Sequence, residues 1–201
     1  VKDRRISYVI DKALQDQKIG ITSSTILCEA TSGNTGIALS AVAASLGLEC
    51  VIFMPCNMSE ERKQMMRVYG SAIVEAPADD FDGAIRMRDE FLAHHDHAWS
   101  PMQFSNPVNI ECPRTRTAPE IHNQVNAMRT PWSAFIHGSG TGGTIEGVRQ
   151  YVEEKGLVTK VCMTVPAESP HGIQGIGDGR DFLADPEDMS SVIVIETAHA
   201  I

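Results

Sequence analysis

Apolar positions recur along this chain in two alternating rhythms, one helical and one extended. From Lys2 onward Ile6, Val9, Ile10, Ala13 and Leu14 fall on one face at helical spacing, with Gly20 placed to close the segment. Ile26 to Ala30 predicts a strand, Ile37 to Leu46 a helix of small residues, and Cys50 to Met54 a second buried strand, together a βαβ unit. Ser59 to Tyr69 predicts a helix closed by Gly70, followed by a strand at Ala72 to Val74. Phe81, Ala84, Ile85, Phe91 and Leu92 mark the next helix, and the alternation continues with a helix over 118–128, a strand over 134–136 and a helix over 144–155. Strands at 161–165 and 192–195 complete it. Elements that alternate in this way predict an α/β chain with mostly parallel strands. Asn106-Pro107 and Glu111 to Pro113 are the candidate boundary between two lobes, taken as 1–106 and 107–201.

Composition narrows the function classes. A hydrophobic content of 42% in 201 residues is enough for one large or two small cores, so the chain is globular. A formal charge of −9, with no basic run, argues against nucleic acid as a partner. The longest nearly apolar stretch, Ile37 to Leu48, is interrupted by Ser40, Ser45 and Gly47 and is too short to span a bilayer. The five cysteines are odd in number and contain no Cys-x-x-Cys pair, which disfavours a disulfide framework or a zinc site and points to the cytoplasm. His94, His95 and His97 have no companion cysteine or carboxylate cluster and are read as a polar helix terminus, with no metal expected. The chain starts at Val1 inside a charged helical pattern and stops at Ile201 after an apolar run, so it is read as truncated at both ends.

Three stretches carry chemistry. Phe135 to Gly147 joins a short apolar run to a helical pattern through Gly138, Gly140, Gly142 and Gly143. Backbone without Cβ atoms can turn there and direct several N–H groups at one anion, aided by the following helix N-terminus. Gly138-x-Gly140-x-x-Gly143 also has the spacing of a dinucleotide fingerprint, which requires an acidic residue after the next strand; Glu168 is the candidate. Thr31-Ser32-Gly33-Asn34-Thr35-Gly36 opens another helix with three hydroxyls and an amide, suited either to a carboxylate ligand or simply to capping that helix. Lys2 falls in a first helical turn, where the positive end of the helix favours a neutral amine while the neighbouring Asp3 opposes it.

Taken in order, these stretches resemble the pyridoxal-phosphate enzymes of fold type II, and within them cysteine synthase (O-acetylserine sulfhydrylase) and cystathionine β-synthase. Val1-Lys2-Asp3-Arg4 is similar to the family's lysine motif, Thr31 to Gly36 to its substrate loop, and Gln103-Phe104 with Asn106-Pro107 to a second substrate segment. Gly140-Thr141-Gly142-Gly143-Thr144 is similar to its phosphate loop, and Pro170 to Gly177 to a segment that lines the cofactor and helps close the site.

The resemblance implies a two-lobed fold like that of the tryptophan synthase β chain, with mostly parallel sheets covered by helices on both faces. It implies pyridoxal 5′-phosphate bound through a Schiff base to Lys2, with Gly140, Thr141, Gly142, Gly143 and Thr144 on the phosphate. Asn34 would meet the ring hydroxyl and Gly175 would line the cofactor. Thr31, Ser32, Asn34, Thr35 and Gln103 would bind substrate, the Thr31 loop moving with its lobe. The implied reaction is β-replacement of O-acetyl-L-serine by sulfide through an aminoacrylate to give L-cysteine, with cystathionine β-synthase as the alternative. A homodimer, and serine acetyltransferase as a docking partner, are implied as well. The family's residue at the pyridine nitrogen and the strand beneath its lysine have no counterpart in this sequence. Thr115 to Pro119 and Val165-Pro166 depart from the commoner family forms.

Overall fold

A computed structural model describes residues 2–16, 21–168, 171, 173, 175–177 and 183–199, which fall into two compact units, the chain passing from one to the other between Met102 and Gln103. In the first unit, α1 (Asp3–Gln15) precedes β1 (Ile26–Ala30), α2 (Asn34–Leu46), β2 (Glu49–Pro55), α3 (Glu60–Val68), β3 (Ala72–Ala76), α4 (Phe81–His94) and the short β4 (Ala98–Trp99). All four strands are parallel, in the order β3-β2-β1-β4. Side chains alternate across this sheet. Leu27, Cys50, Ile52 and Met54 pack with Ile6 and Ile10 of α1, Leu39 of α2 and Met66 of α3, whereas Cys28, Ala30 and Phe53 face Ala84 of α4. Helices therefore cover both faces, as parallel sheets require.

That strand order also locates a crevice. The chain leaves β1 toward β2 and β3 on one side, and β4 arrives on the other, so β1 borders a topological switch point. Ligands of open parallel sheets bind outside the carboxyl ends of the strands at such a point. Thr31 is the first residue beyond the carboxyl end of β1.

The second unit begins with α5 (Val108–Cys112), which runs through a five-residue π-helical stretch, Pro113–Thr117, into α6 (Ala118–Ala127). β5 (Ala134–Gly138), α7 (Gly143–Glu154), β6 (Lys160–Pro166) and β7 (Ser191–Ile195) follow, with the strands parallel in the order β5-β6-β7. Ile145, Val148 and Val152 of α7 pack on Val161 and Met163 of β6. Val192, Ile193 and Val194 of β7 remain exposed.

Several expectations need adjusting. Lys2 is the N-cap of α1 and not a member of its first turn, and α1 ends at Gln15, with Gly20 outside the described residues. The helix after β1 starts at Asn34, ahead of Ile37, because Gly33 (φ 156°) makes the turn at its N-cap. Glu111 to Pro113 is helical backbone, not a linker. A proline inside a helix cannot donate to the carbonyl four residues back, and the wider π turn accommodates that loss. His94 and His95 end α4 as expected, their Nδ1 atoms donating to the carbonyls of Glu90 (2.7 Å) and Phe91 (2.9 Å).

Candidate functional site

The turn after β1 is held from several sides. The Thr31 amide donates to the Phe53 carbonyl (3.0 Å), fixing the turn to β2, and Thr31 Oγ1 accepts from the Gly33 amide (3.1 Å). Thr31 and Thr35 are buried, Ser32 is half-buried and Asn34 is exposed at the mouth of the helix. The first α2 amides lack intrahelical partners and lie at the positive end of the helix dipole. Gly36 has no room for a side chain, since a Cβ there would lie 2.8 Å from Thr31 Cγ2. Below it, Ser40 Oγ donates to the Gly36 carbonyl (2.7 Å) and lies 2.7 Å from Ser71 Oγ, tying the first turn of α2 to the start of β3. Lys2 is half-buried at the head of α1, and Ile6 and Ile10 of α1 share a core with Leu39 of α2. The lysine-bearing helix is thus packed on the helix that begins in this turn.

In the second unit the glycine run allows close backbone approach at three positions. Gly142 adopts φ 81°, and a Cβ on it would lie 2.7 Å from the Ala184 amide nitrogen. A Cβ on Gly143 would lie 2.8 Å from the Asn109 carbonyl oxygen, and one on Gly140 2.5 Å from that of Gly175. Only glycine lets these backbones approach so closely. Two further bonds close the loop: the Gly177 amide donates to the Ser139 carbonyl (2.8 Å), and the Leu183 amide to that of Thr141 (2.9 Å). Gly175, Ile176 and Gly177 therefore pack on residues 138–140; Pro170, Gly172 and Gln174 lie outside the described residues.

Gln103 belongs to this second unit. It is buried, and its carbonyl accepts from Asn109 Nδ2 (2.7 Å). Asn109 is itself buried, with its backbone carbonyl against Gly143. One asparagine thus connects Gln103 to the start of α7. Met102, immediately before Gln103, has φ 51°, a left-handed conformation uncommon for a non-glycine residue.

These features fit a phosphate group. The cradle has no side-chain bulk at Gly140, Gly142 or Gly143, and α7 directs its N-terminus into it. The Ser139 hydroxyl is buried in the same loop without a protein hydrogen-bond partner, so it can donate to a ligand oxygen. Glu168, the acid needed for a dinucleotide, is occupied otherwise: Oε1 accepts from the Thr197 amide (2.7 Å), which holds the carboxyl below its usual range.

Parallel sheets, a glycine run at a helix N-terminus and a hydroxyl-rich turn at a switch point define an α/β protein with two helix N-termini whose surroundings suit anions. The sequence pattern of the family described as "Pyridoxal-phosphate dependent enzyme" matches residues 1–193, and the chain belongs to that family. It is 35% identical to a probable cysteine synthase of Bacillus subtilis over 171 residues, covering 85% of this chain and 54% of the relative. Among solved structures, a hydrogen sulfide-producing enzyme from Fusobacterium nucleatum superposes with a TM-score of 0.89 at 33% identity. That match covers 98% of this chain and 62% of the other. The O-acetylserine dependent cystathionine beta-synthase from Helicobacter pylori gives 0.84 at 30% identity, covering 98% and 66%. The chain therefore spans little more than half the length of its curated relative. The family is pyridoxal-phosphate dependent, which sets aside the dinucleotide reading of the glycine run.

Three residues near these sites escaped the sequence reading. Ser139 had a signal, a hydroxyl inside a glycine run. Asn109, and Arg62, whose Nη1 donates to the Ser32 carbonyl (3.2 Å), had none, because their contacts join positions that only the fold brings together. Among the described residues no group of histidine, cysteine and carboxylate side chains is arranged to hold a metal, and no helix is long and apolar enough to cross a membrane.

Proposed function

We propose that this protein catalyses β-replacement on O-acetyl-L-serine, exchanging acetate for sulfide to form L-cysteine. The observation that carries the reading is the Thr31–Gly36 turn. It sets buried threonines and a helix N-terminus at the switch point of a parallel sheet, in a chain whose curated relative is a probable cysteine synthase. Such a turn suits the carboxylate of an amino acid.

The cofactor supplies an aldehyde and an electron sink when bound. Gly140 to Thr144, with the Ser139 hydroxyl, would hold its phosphate, and Asn34 its ring hydroxyl. Gly175 would line the pocket. Lys2 is the residue to carry it and then, as a neutral amine, to take the α-proton of the substrate at Nζ. Thr31, Ser32, Asn34, Thr35 and Gln103 would grip the carboxylate, keeping the α-C–H bond aligned while acetate leaves. A homodimer, docking of serine acetyltransferase and a cytoplasmic setting belong to the same reading.

A second reading, cystathionine formation, is favoured by the likeness to the Helicobacter pylori enzyme. The test is to incubate the cofactor-loaded protein with O-acetylserine and either sulfide or homocysteine, and to quantify both products by mass spectrometry. Cysteine as the main product supports the first reading and cystathionine the second; neither product, from protein that binds the cofactor, refutes both.

A further inference from the structure

The Thr31–Gly36 turn is shaped by a residue far away in sequence. Arg62, on the first turn of α3, extends its side chain across the turn, and its Nη1 donates to the Ser32 carbonyl (3.2 Å). Gly33 adopts φ 156°, and a Cβ there would lie 2.3 Å from Arg62 Cδ and 2.9 Å from Nε. The absence of a side chain at Gly33 therefore does two things: it permits the turn, and it leaves the groove that the arginine stem fills. α3 presents the arginine in a fixed direction because Ser59 caps the helix and Met66, one turn further on, is fully buried in the core beneath α2.

We propose that Arg62 is a positioning residue for amino-acid substrates. Resting on the reading of 31–36 as the carboxylate turn, its guanidinium holds the Ser32–Gly33 peptide so that the α2 amides and the Thr31 and Thr35 hydroxyls face one ligand. Backbone that carries a positive φ at a helix start, before the first intrahelical hydrogen bonds, has no strong local preference for one shape. An Arg-to-carbonyl hydrogen bond is of the charge-assisted kind, strong enough to select one. The guanidinium also adds positive charge beside a turn meant for an anion.

The test uses Arg62→Met, which keeps much of the stem and removes the donor, and Arg62→Lys, which keeps one. In the cofactor-loaded protein Arg62→Met should raise the KM for O-acetylserine roughly tenfold, with a smaller change in kcat and an unchanged cofactor absorbance spectrum. Arg62→Lys should recover part of that loss. In the cofactor-free protein, amide hydrogen exchange of the 31–37 peptide should accelerate severalfold in Arg62→Met while β2 is unaffected. Wild-type KM and wild-type exchange in Arg62→Met would overturn the inference. So would exchange that accelerates equally throughout the first unit, the sign of a merely structural residue. Thr31→Val separates the two readings: if it leaves the KM unchanged, the carboxylate assignment of the turn fails, while the exchange measurement still judges Arg62.

Discussion

Glu29 Oε1 lies 2.8 Å from Arg88 Nη1, a pair buried between β1 and α4 with side-chain exposures of 0% and 5%. The same carboxylate oxygen accepts from the Ala30 amide (2.8 Å), so the pair braces the backbone immediately before the Thr31 turn, and Arg88 also reaches Asp89. Removing Arg88 takes the guanidinium away from a fully buried carboxylate. Arg88→Met should therefore cost ~3–5 kcal/mol in a urea denaturation series, whereas the double variant Glu29→Gln with Arg88→Met should lose less. Additive losses in the two single variants and the double would contradict a coupled pair.

Burial makes Cys28 a pH sensor of stability. Burial, and next the charge of Glu29, push the Cys28 thiol from 9.0 up to about 12. Between those values the unfolded chain has lost this proton and the folded chain has kept it, so stability falls as pH rises. The expected loss is on the order of a few kcal/mol across that window, and it should largely disappear in Cys28→Ala. Iodoacetamide at pH 8 should modify exposed Cys56 first and leave buried Cys28, Cys50, Cys112 and Cys162 unreacted until the protein unfolds.

Cofactor and substrate functions should separate by residue. Gly142→Val places a branched side chain where even a Cβ would meet the Ala184 backbone, at a φ that disfavours it. The loop must reshape, and pyridoxal phosphate affinity, read by fluorescence titration, should fall at least tenfold. Gln103→Ala should leave that affinity intact and raise the KM for O-acetylserine. Equal loss of cofactor in both variants would contradict the division.

Borohydride reduction of the cofactor-loaded protein, followed by peptide mapping, should put the phosphopyridoxyl label on Lys2. Lys63 is engaged elsewhere: its Nζ lies 2.6 Å from both the Cys56 carbonyl and Glu75 Oε1. Lys12 and Lys155 lie over the rings of Tyr8 and Tyr151. A label on any of these would refute the assignment.

Alternation of apolar residues was the most readable part of the sequence. Leu27, Ile52 and Met54 on one sheet face and Cys28 and Phe53 on the other reproduce the period of two. The helix over 34–46 was read three residues short, because Asn34, Thr35 and Gly36 carry no apolar rhythm and the signal sits in the backbone of Gly33. α5 and the π-helical stretch were hidden behind Pro107 and Pro113, which read as punctuation although proline fits a helix start. β4 has only two residues, too few for any period. The close backbone approach at Gly140, Gly142 and Gly143 is plain in the sequence, since glycine spacing reports directly on it. The contacts of Arg62 with Gly33 and of Asn109 with Gln103 are not, because no local pattern encodes a partner supplied by another element.

Gly143 and Gly147, one helical turn apart, form a notch in α7 into which neighbouring backbone is pressed. A Cβ on Gly147 would lie 2.5 Å from the Ile110 carbonyl oxygen and 2.8 Å from the Arg114 amide nitrogen. With Asn109 bonded to Gln103, the glycine loop and the Gln103 segment become one interlocked block that cannot slide internally without backbone collision. Gly147→Ala would therefore act as a lever, prising α5 from α7 and shifting the glycine loop and Gln103 together.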